Sequence, residues 1–212
     1  MAILVSLVFP ENVELLSYAD DLVLVVRGRA ANKIEKAQNA LTRIVDECDA
    51  LGLKVSAVKT NAMVFRAKDP QTHLYIRHTR VEWVKEQQYL GVWLDKGLKF
   101  SRQVNYLVER MNARHSMMRA MTGPRIGASP DVLRLYYIHA IRPLVDYSAP
   151  ALITISDKMC QKLEVVQNKA LRTILGAPKW TSITIMLSEL GLVPLKDRIT
   201  QLMAGRVASI LN

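Results

Sequence analysis

The chain has 212 residues, half of them apolar, which is enough for one large domain or two small ones with a buried core. Its net charge of +10 is uneven: residues 1–100 hold 14 basic against 12 acidic side chains, and residues 101–212 hold 15 against 7. This excess is either a solvated surface or the footprint of a polyanionic partner. Two distant cysteines in helical patterns argue against a disulfide framework or a zinc site.

The first nine residues are apolar but lack a basic start and a small-residue cleavage site. No apolar run reaches the roughly 20 residues that a membrane span needs. The sequence therefore predicts an intracellular protein with neither a signal peptide nor a transmembrane segment.

Two adjacent carboxylates, Asp20 and Asp21, lie between the apolar runs 13–16 and 22–26. The pattern predicts strand, turn, strand. Aspartate is common in tight turns, so the pair taken alone favours a plain hairpin turn over a metal site.

The next segment predicts a helix from a cap at Asn32 to about Leu51, stopped by Gly52, with an apolar stripe that packs on a sheet. Short strands are then predicted at residues 53–55, 62–65, 74–77 and 81–84, the last pairing with residues 89–94.

The pattern becomes helical at Ser101, the predicted cap of a helix that ends at Gly123. Further helices are predicted from Ser129-Pro130 to Arg142, from Ser156 to Gly176, before Gly191 and from about Pro194. We therefore expect an α+β fold with a β-rich part over residues 1–100 and an all-helical part over residues 101–212.

Several motifs, in this order, resemble the reverse transcriptase of non-LTR (LINE-like, jockey-related) retrotransposons. They are Tyr18-Ala19-Asp20-Asp21, Gly52-Leu53 with Lys59-Thr60, Tyr89-Leu90-Gly91-Val92-Trp93-Leu94-Asp95, Leu171-Arg172 with Leu175-Gly176, and Glu189-Leu190-Gly191 with Pro194-Leu195. The resemblance implies a partial right-hand polymerase palm, an antiparallel sheet with a packed helix, followed by a helical thumb-like region. Motif order favours this interpretation over the plain hairpin and over an interaction module with a fortuitous motif.

By resemblance, Asp20 and Asp21 are catalytic ligands for Mg²⁺ or Mn²⁺, and Lys59 approaches the triphosphate. The alternative for Lys59 is a surface lysine in a turn. The primer grip would be formed by Tyr89, Leu90, Gly91 and Trp93, although Trp93 could equally be a core residue.

The family also uses an upstream aspartate and a Gly-rich nucleotide-binding motif, and these 212 residues contain neither. The first functional hypothesis is a portion of an RNA-directed DNA polymerase, expected to be inactive alone, that acts with RNA template, DNA primer and a missing N-terminal part. The alternative is a non-enzymatic nucleic-acid-binding remnant. If it acts as the family does, it works in the nucleus.

Helical spacing also places six basic side chains largely off the apolar stripes of the second half. We expect them to be exposed and contiguous and to contact nucleic-acid phosphates. They are Arg102, Arg110, Arg114, Lys162, Lys169 and Arg172.

Overall fold

The computed structural model describes residues 7–28, 30–123 and 127–211. It confirms the mixed α+β class. The chain forms two compact units that divide between Gln87 and Gln88. In the described residues, no helix is both long and apolar enough to cross a membrane.

The first unit begins with the predicted hairpin. Strands β1 (Val13–Tyr18) and β2 (Asp21–Val26) are antiparallel. One face of the hairpin packs on helix α1 (Ala30–Ala50), where Leu15, Leu22 and Leu24 surround Ile44 and Cys48 of the helix. Burial alternates along β1, which gives the hairpin one covered face.

Helix α1 ends where the sequence predicts. Gly52 adopts φ +72°, and the Leu53 amide donates to the Cys48 carbonyl at 2.8 Å. A left-handed glycine that closes the last turn in this way is a common helix stop. The helix begins at Ala30, two residues before the predicted cap at Asn32.

The next strands form a small mixed sheet. Its strands are β3 (Asn61–Ala62), β4 (Leu74–Ile76) and β5 (Thr79–Trp83), in the order β3–β5–β4, with β3 parallel and β4 antiparallel to β5. The predicted strand at residues 53–55 is wrong: part of that stretch follows the glycine stop and then leads into a 3₁₀ turn (Ala57–Lys59). The predicted pairing of residues 81–84 with 89–94 is also wrong, because β5 pairs with the strands that precede it.

A separate two-stranded hairpin follows, made of β6 (Glu86–Tyr89) and β7 (Val92–Asp95). Strand β7 packs on helix α2 (Ser101–Ala120). The boundary between the compact units falls within β6, whereas sequence periodicity changes at Ser101.

The second unit is otherwise helical. After α2 come α3 (Pro130–Tyr136), a π segment (Tyr137–Ile141), α4 (Pro143–Leu152), α5 (Asp157–Leu175), α6 (Ile183–Glu189) and α7 (Leu195–Leu211). Its core is centred on the fully buried Tyr137, whose hydroxyl donates to the Gln167 side chain. Burial raises the pKa of Tyr137, so this phenol stays neutral.

Helix ends in this unit follow the predictions in part. Ser129 caps α3, accepting from the Val132 amide at 3.4 Å, and Gly176 ends α5 with φ +61°. Ser101 does not cap α2. The cap position is Phe100, and the Asp95 carboxylate accepts from the amides of Gly97, Lys99 and Phe100.

The predicted stop at Pro143 is wrong as well. The π segment closes with the Arg142 amide donating to the Tyr137 carbonyl at 2.9 Å, and Pro143 becomes the first residue of α4. A proline without an N–H is tolerated in a first turn, so the wide turn lets the helical path continue past it.

Candidate functional site

The two aspartates lie at a two-residue turn. Tyr18 pairs with Asp21, so Ala19 and Asp20 form the loop between the strands. Ala19 has φ +50°, a left-handed conformation that costs a non-glycine residue about 1–2 kcal/mol. Strain of this kind is retained when the surrounding structure requires it, and it often marks functional sites.

Both carboxylates are exposed. Register places Asp21 opposite Tyr18, on the hairpin face that points away from α1, together with Leu16 and Val23. Tyr18 is 64% exposed and Leu16 is 43% exposed. The turn thus presents two oxygen ligands at the edge of an apolar, partly uncovered face.

The donor set fits part of a Mg²⁺ site. Magnesium is commonly held by one or two carboxylates together with water and substrate phosphates. Within the described ranges no group of three or more His, Cys, Asp or Glu side chains could enclose a metal ion. Asp20 and Asp21 therefore suit a shared site, in which phosphate oxygens or ligands from elsewhere complete the shell.

Lys59 ends the 3₁₀ turn, and its side chain is exposed. The turn is fixed by the Thr60 hydroxyl, which donates to the Ser56 carbonyl at 2.8 Å. Among the described residues Lys59 makes no ion pair with either aspartate, so the structure leaves its amine available to an anion.

The turn of the second hairpin is Leu90-Gly91, and both residues have positive φ, 45° and 76°. Positive φ at both central residues is the type I′ pattern that suits tight hairpins. Tyr147 of α4 donates to the Leu90 carbonyl at 2.6 Å, and its ring edge would lie 3.6 Å from a Cβ at Gly91. That distance is ordinary van der Waals contact, so the positive φ explains the glycine.

Strand β7 is held by a buried glutamine. The Trp93 amide donates to Gln103 Oε1 at 2.9 Å, and Gln103 Nε2 donates to Ser148 Oγ at 2.9 Å. The Trp93 ring is half-buried, and the Arg102 guanidinium lies over it at 3.6 Å. Trp93 thus takes part in a cation–π contact and lies outside the buried apolar clusters of the described chain.

The six predicted basic residues have different surroundings. Arg110 is exposed beside Tyr106, and Lys162 donates to Asn105 at 2.9 Å. Arg114 is half-buried and donates to the Ala140 carbonyl in the π segment. Arg114, Lys162 and Arg172 are all half-buried, so these three do not have the exposure that helical spacing predicts.

Lys169 and Arg172 lie together in an open groove between α2 and α5, with a volume of about 390 Å³. Sequence reasoning missed its third cation, Arg119, in the last turn of α2. The sequence signal for Arg119 is its helical spacing of four from His115, which marks one face of α2. The groove is lined by Asn112, His115, Ser116, Arg119, Lys169, Arg172 and Thr173.

Comparison with known proteins finds relatives along most of the chain. It is 24% identical over 196 residues to the probable RNA-directed DNA polymerase from transposon BS of Drosophila melanogaster, covering 91% of this chain and 22% of that protein. It is 27% identical to the putative 115 kDa protein of the type-1 retrotransposable element R1DM from the same organism, covering 90% and 19%. The RNA-directed DNA polymerase from its mobile element jockey is 23% identical, with 89% and 21% covered.

No protein-family model and no solved structure matches the chain. The chain spans about a fifth of the length of these relatives. The resemblance predicted from the motifs is confirmed: over about nine-tenths of its length the chain is related to proteins of non-LTR retrotransposons, among them RNA-directed DNA polymerases.

Proposed function

We propose that this chain is the portion of a retrotransposon RNA-directed DNA polymerase that carries the double-aspartate turn, the primer grip and the thumb. The observation that carries the proposal is the turn itself. Two exposed carboxylates at a strained two-residue turn of a largely apolar hairpin have no ion pair within the described residues. Its sequence relatives include proteins named as RNA-directed DNA polymerases.

In this function Asp20 and Asp21 would hold a divalent metal, Mg²⁺ or Mn²⁺. Such a metal would supply activation of the primer 3′ hydroxyl and stabilisation of the leaving pyrophosphate. The hairpin fixes both carboxylates on a short turn, which limits their freedom before the nucleotide arrives. Asp21 shares a face with Tyr18, so the aromatic ring borders the primer end.

Lys59 would act on the triphosphate. Its exposed amine, free of ion pairs in the described chain, can stabilise negative charge as pyrophosphate leaves. Leu90 and Gly91 would bring the tip of the second hairpin to the primer. Their backbone is suited to this role because the Tyr147 hydroxyl fixes the turn.

The test is a chimera in which this chain replaces the matching segment of the Drosophila melanogaster jockey polymerase. We expect primer extension on an RNA template with Mg²⁺, and its loss in both Asp20→Ala and Asp21→Ala chimeras. Extension that survives removal of both carboxylates would refute the assignment.

A matched control separates loss of chemistry from loss of folding. Asp46 is an exposed carboxylate on the solvent side of α1. The Asp46→Ala chimera should therefore keep its activity, and circular dichroism should give the same spectrum for all variants. If the unsubstituted chimera is folded and binds primed template but extends nothing, the proposal fails.

The basic groove of the second unit favours a second candidate, nucleic-acid binding without chemistry. The two candidates differ in their dependence on the carboxylates. A non-enzymatic binder would keep its whole function in the Asp20→Ala/Asp21→Ala variant, whereas a polymerase portion would lose primer extension and keep binding.

A further inference from the structure

The groove between α2 and α5 is built from one face of each helix. Asn112, Ser116 and Arg119 lie on one face of α2, and Lys169 and Arg172 lie on one face of α5. The two helices are joined at the groove by a hydrogen bond of 2.9 Å between His115 Nε2 and Thr173 Oγ1. Met111 of α2 and Val166 of α5 belong to one buried apolar cluster, which holds the two helices together.

The groove is strongly basic. Three cations line it, and no acidic side chain is among its lining residues. Arg119 and Lys169 form no ion pair or side-chain hydrogen bond within the described part of the chain. Clustered like charges raise the local potential and attract a counter-anion.

One of the cations is already positioned. The guanidinium of Arg172 donates through Nη1 to the Asn168 carbonyl at 3.2 Å and through Nη2 to the Lys179 carbonyl at 3.3 Å. These bonds fix the guanidinium before a ligand arrives, which reduces the entropy lost on binding. The remaining Nη hydrogens are free to donate to an anion.

The histidine adds no charge to the groove at neutral pH. Burial lowers the pKa of His115, and the nearby charges of Arg119 and Lys169 lower it further. The lowered pKa fits a site in which the arginines and the lysine supply the positive charge.

We propose that this groove binds one phosphate group of a nucleic-acid backbone. Arg119, Lys169 and Arg172 donate to its oxygens, and Asn112 and Ser116 add neutral donors. No aromatic ring lines the groove, so it offers no stacking platform for a base and should read no sequence. Its open shape suits a group carried on a polymer. The choice of nucleic acid rests on the proposed function.

The test measures binding of a labelled RNA–DNA hybrid by fluorescence anisotropy at salt concentrations from about 50 to about 300 mM. The Arg119→Ala/Lys169→Ala variant should bind about tenfold more weakly at the lowest salt, and the slope of log affinity against log salt should flatten by about one unit, as for one lost phosphate contact. An Arg119→Lys variant should keep most of the affinity.

The matched control is Lys158→Ala/Arg206→Ala, which removes the same charge from exposed positions outside the groove. Its affinity and slope should change little. Equal losses in the two double variants, or an unchanged slope in the groove variant with a native circular dichroism spectrum, would overturn the proposal.

Two further arms identify the source of the phosphate. A hybrid with neutral methylphosphonate linkages across the contacted step should abolish the difference between wild type and the groove variant. Vesicles containing phosphatidylserine should bind both proteins equally. If the groove variant lost vesicle binding but kept its binding of the hybrid, the groove would be assigned to a membrane and the inference would be refuted. Hybrid binding is read without primer extension, so this test fails independently of the Asp20/Asp21 test.

Discussion

At the residue scale, backbone conformation marks the turns of this protein more clearly than residue type does. Ala19, Arg77 and Leu90 all adopt positive φ, and each lies in a two-residue connection between strands. None is a glycine, so each turn retains strain that the adjoining strands must offset.

Ala19 gives the first prediction. Ala19→Gly should raise the free energy of unfolding of the first unit by about 0.5–1 kcal/mol, because glycine adopts φ +50° without strain. Ala19→Val should lower it by about 1–2 kcal/mol, because a β-branched residue disfavours this region. Urea denaturation of the full chain checks both changes. Equal stability of the three proteins would show that the turn stores no strain.

His115 gives a prediction on pH. Its pKa lies below the ordinary value of 6.5, so the unfolded state binds the proton more readily than the folded state. Above pH 6.5 the imidazole of His115 is neutral in both states, so its titration contributes nothing to the free energy of unfolding. As the pH falls from 6.5 toward the folded pKa, the free energy of unfolding should fall.

The measurement compares wild type with His115→Gln in urea at about pH 7.5 and about pH 5.5. On acidification both proteins lose stability through the titration of other groups. Wild type should lose more, because it alone carries His115. If the variant loses as much stability on acidification as wild type, His115 does not titrate as argued.

At the element scale, the structure separates what local sequence determines from what tertiary packing determines. The double-aspartate hairpin, the end of α1 at Gly52 and the start of α3 at Ser129 were predicted from patterns within a few residues. The start of α2 was not, because Ser101 has the residue type of a cap, whereas the cap position is Phe100 and the Asp95 carboxylate instead fixes the loop before the helix.

The helical path through Pro143 and the groove of Arg119 were missed for the same reason. A π segment depends on how the helix packs, and a three-cation groove depends on two helices that are distant in sequence. The spacing of single helices could predict exposed faces, and it could not show that Arg114 donates to the π segment.

The second hairpin gives the prediction at this scale. A fragment of residues 86–212, which begins with β6, should be more stable than a fragment of residues 101–212 by about 1–3 kcal/mol. The shorter fragment lacks Trp93, so the fully buried Gln103 loses the donor to its Oε1. Thermal circular dichroism of both fragments measures the difference. A shorter fragment that melts at the same temperature would show that the hairpin adds nothing to this unit.

At the scale of the whole molecule, charge and site chemistry are separated along the chain. The carboxylate turn lies in the nearly neutral first part, and the basic groove lies in the second unit. This division predicts that nucleic-acid binding and primer extension can be lost independently. The Arg119→Ala/Lys169→Ala variant tests the first, and the Asp20→Ala and Asp21→Ala variants test the second.

The last prediction concerns a polypeptide of these 212 residues alone. It should bind a primed RNA template and extend the primer no faster than background with Mg²⁺ or Mn²⁺. Asp20 and Asp21 supply two ligands, and the described chain brings no third acidic, histidine or cysteine ligand to them. Mg²⁺ gives up its water reluctantly, so two carboxylates on an exposed turn should hold it too weakly to organise a nucleotide. Primer-extension assays should include the jockey chimera as the positive control and Asp20→Ala as the background. Extension by the polypeptide that disappears in Asp20→Ala would show that these residues assemble a complete metal site without further ligands.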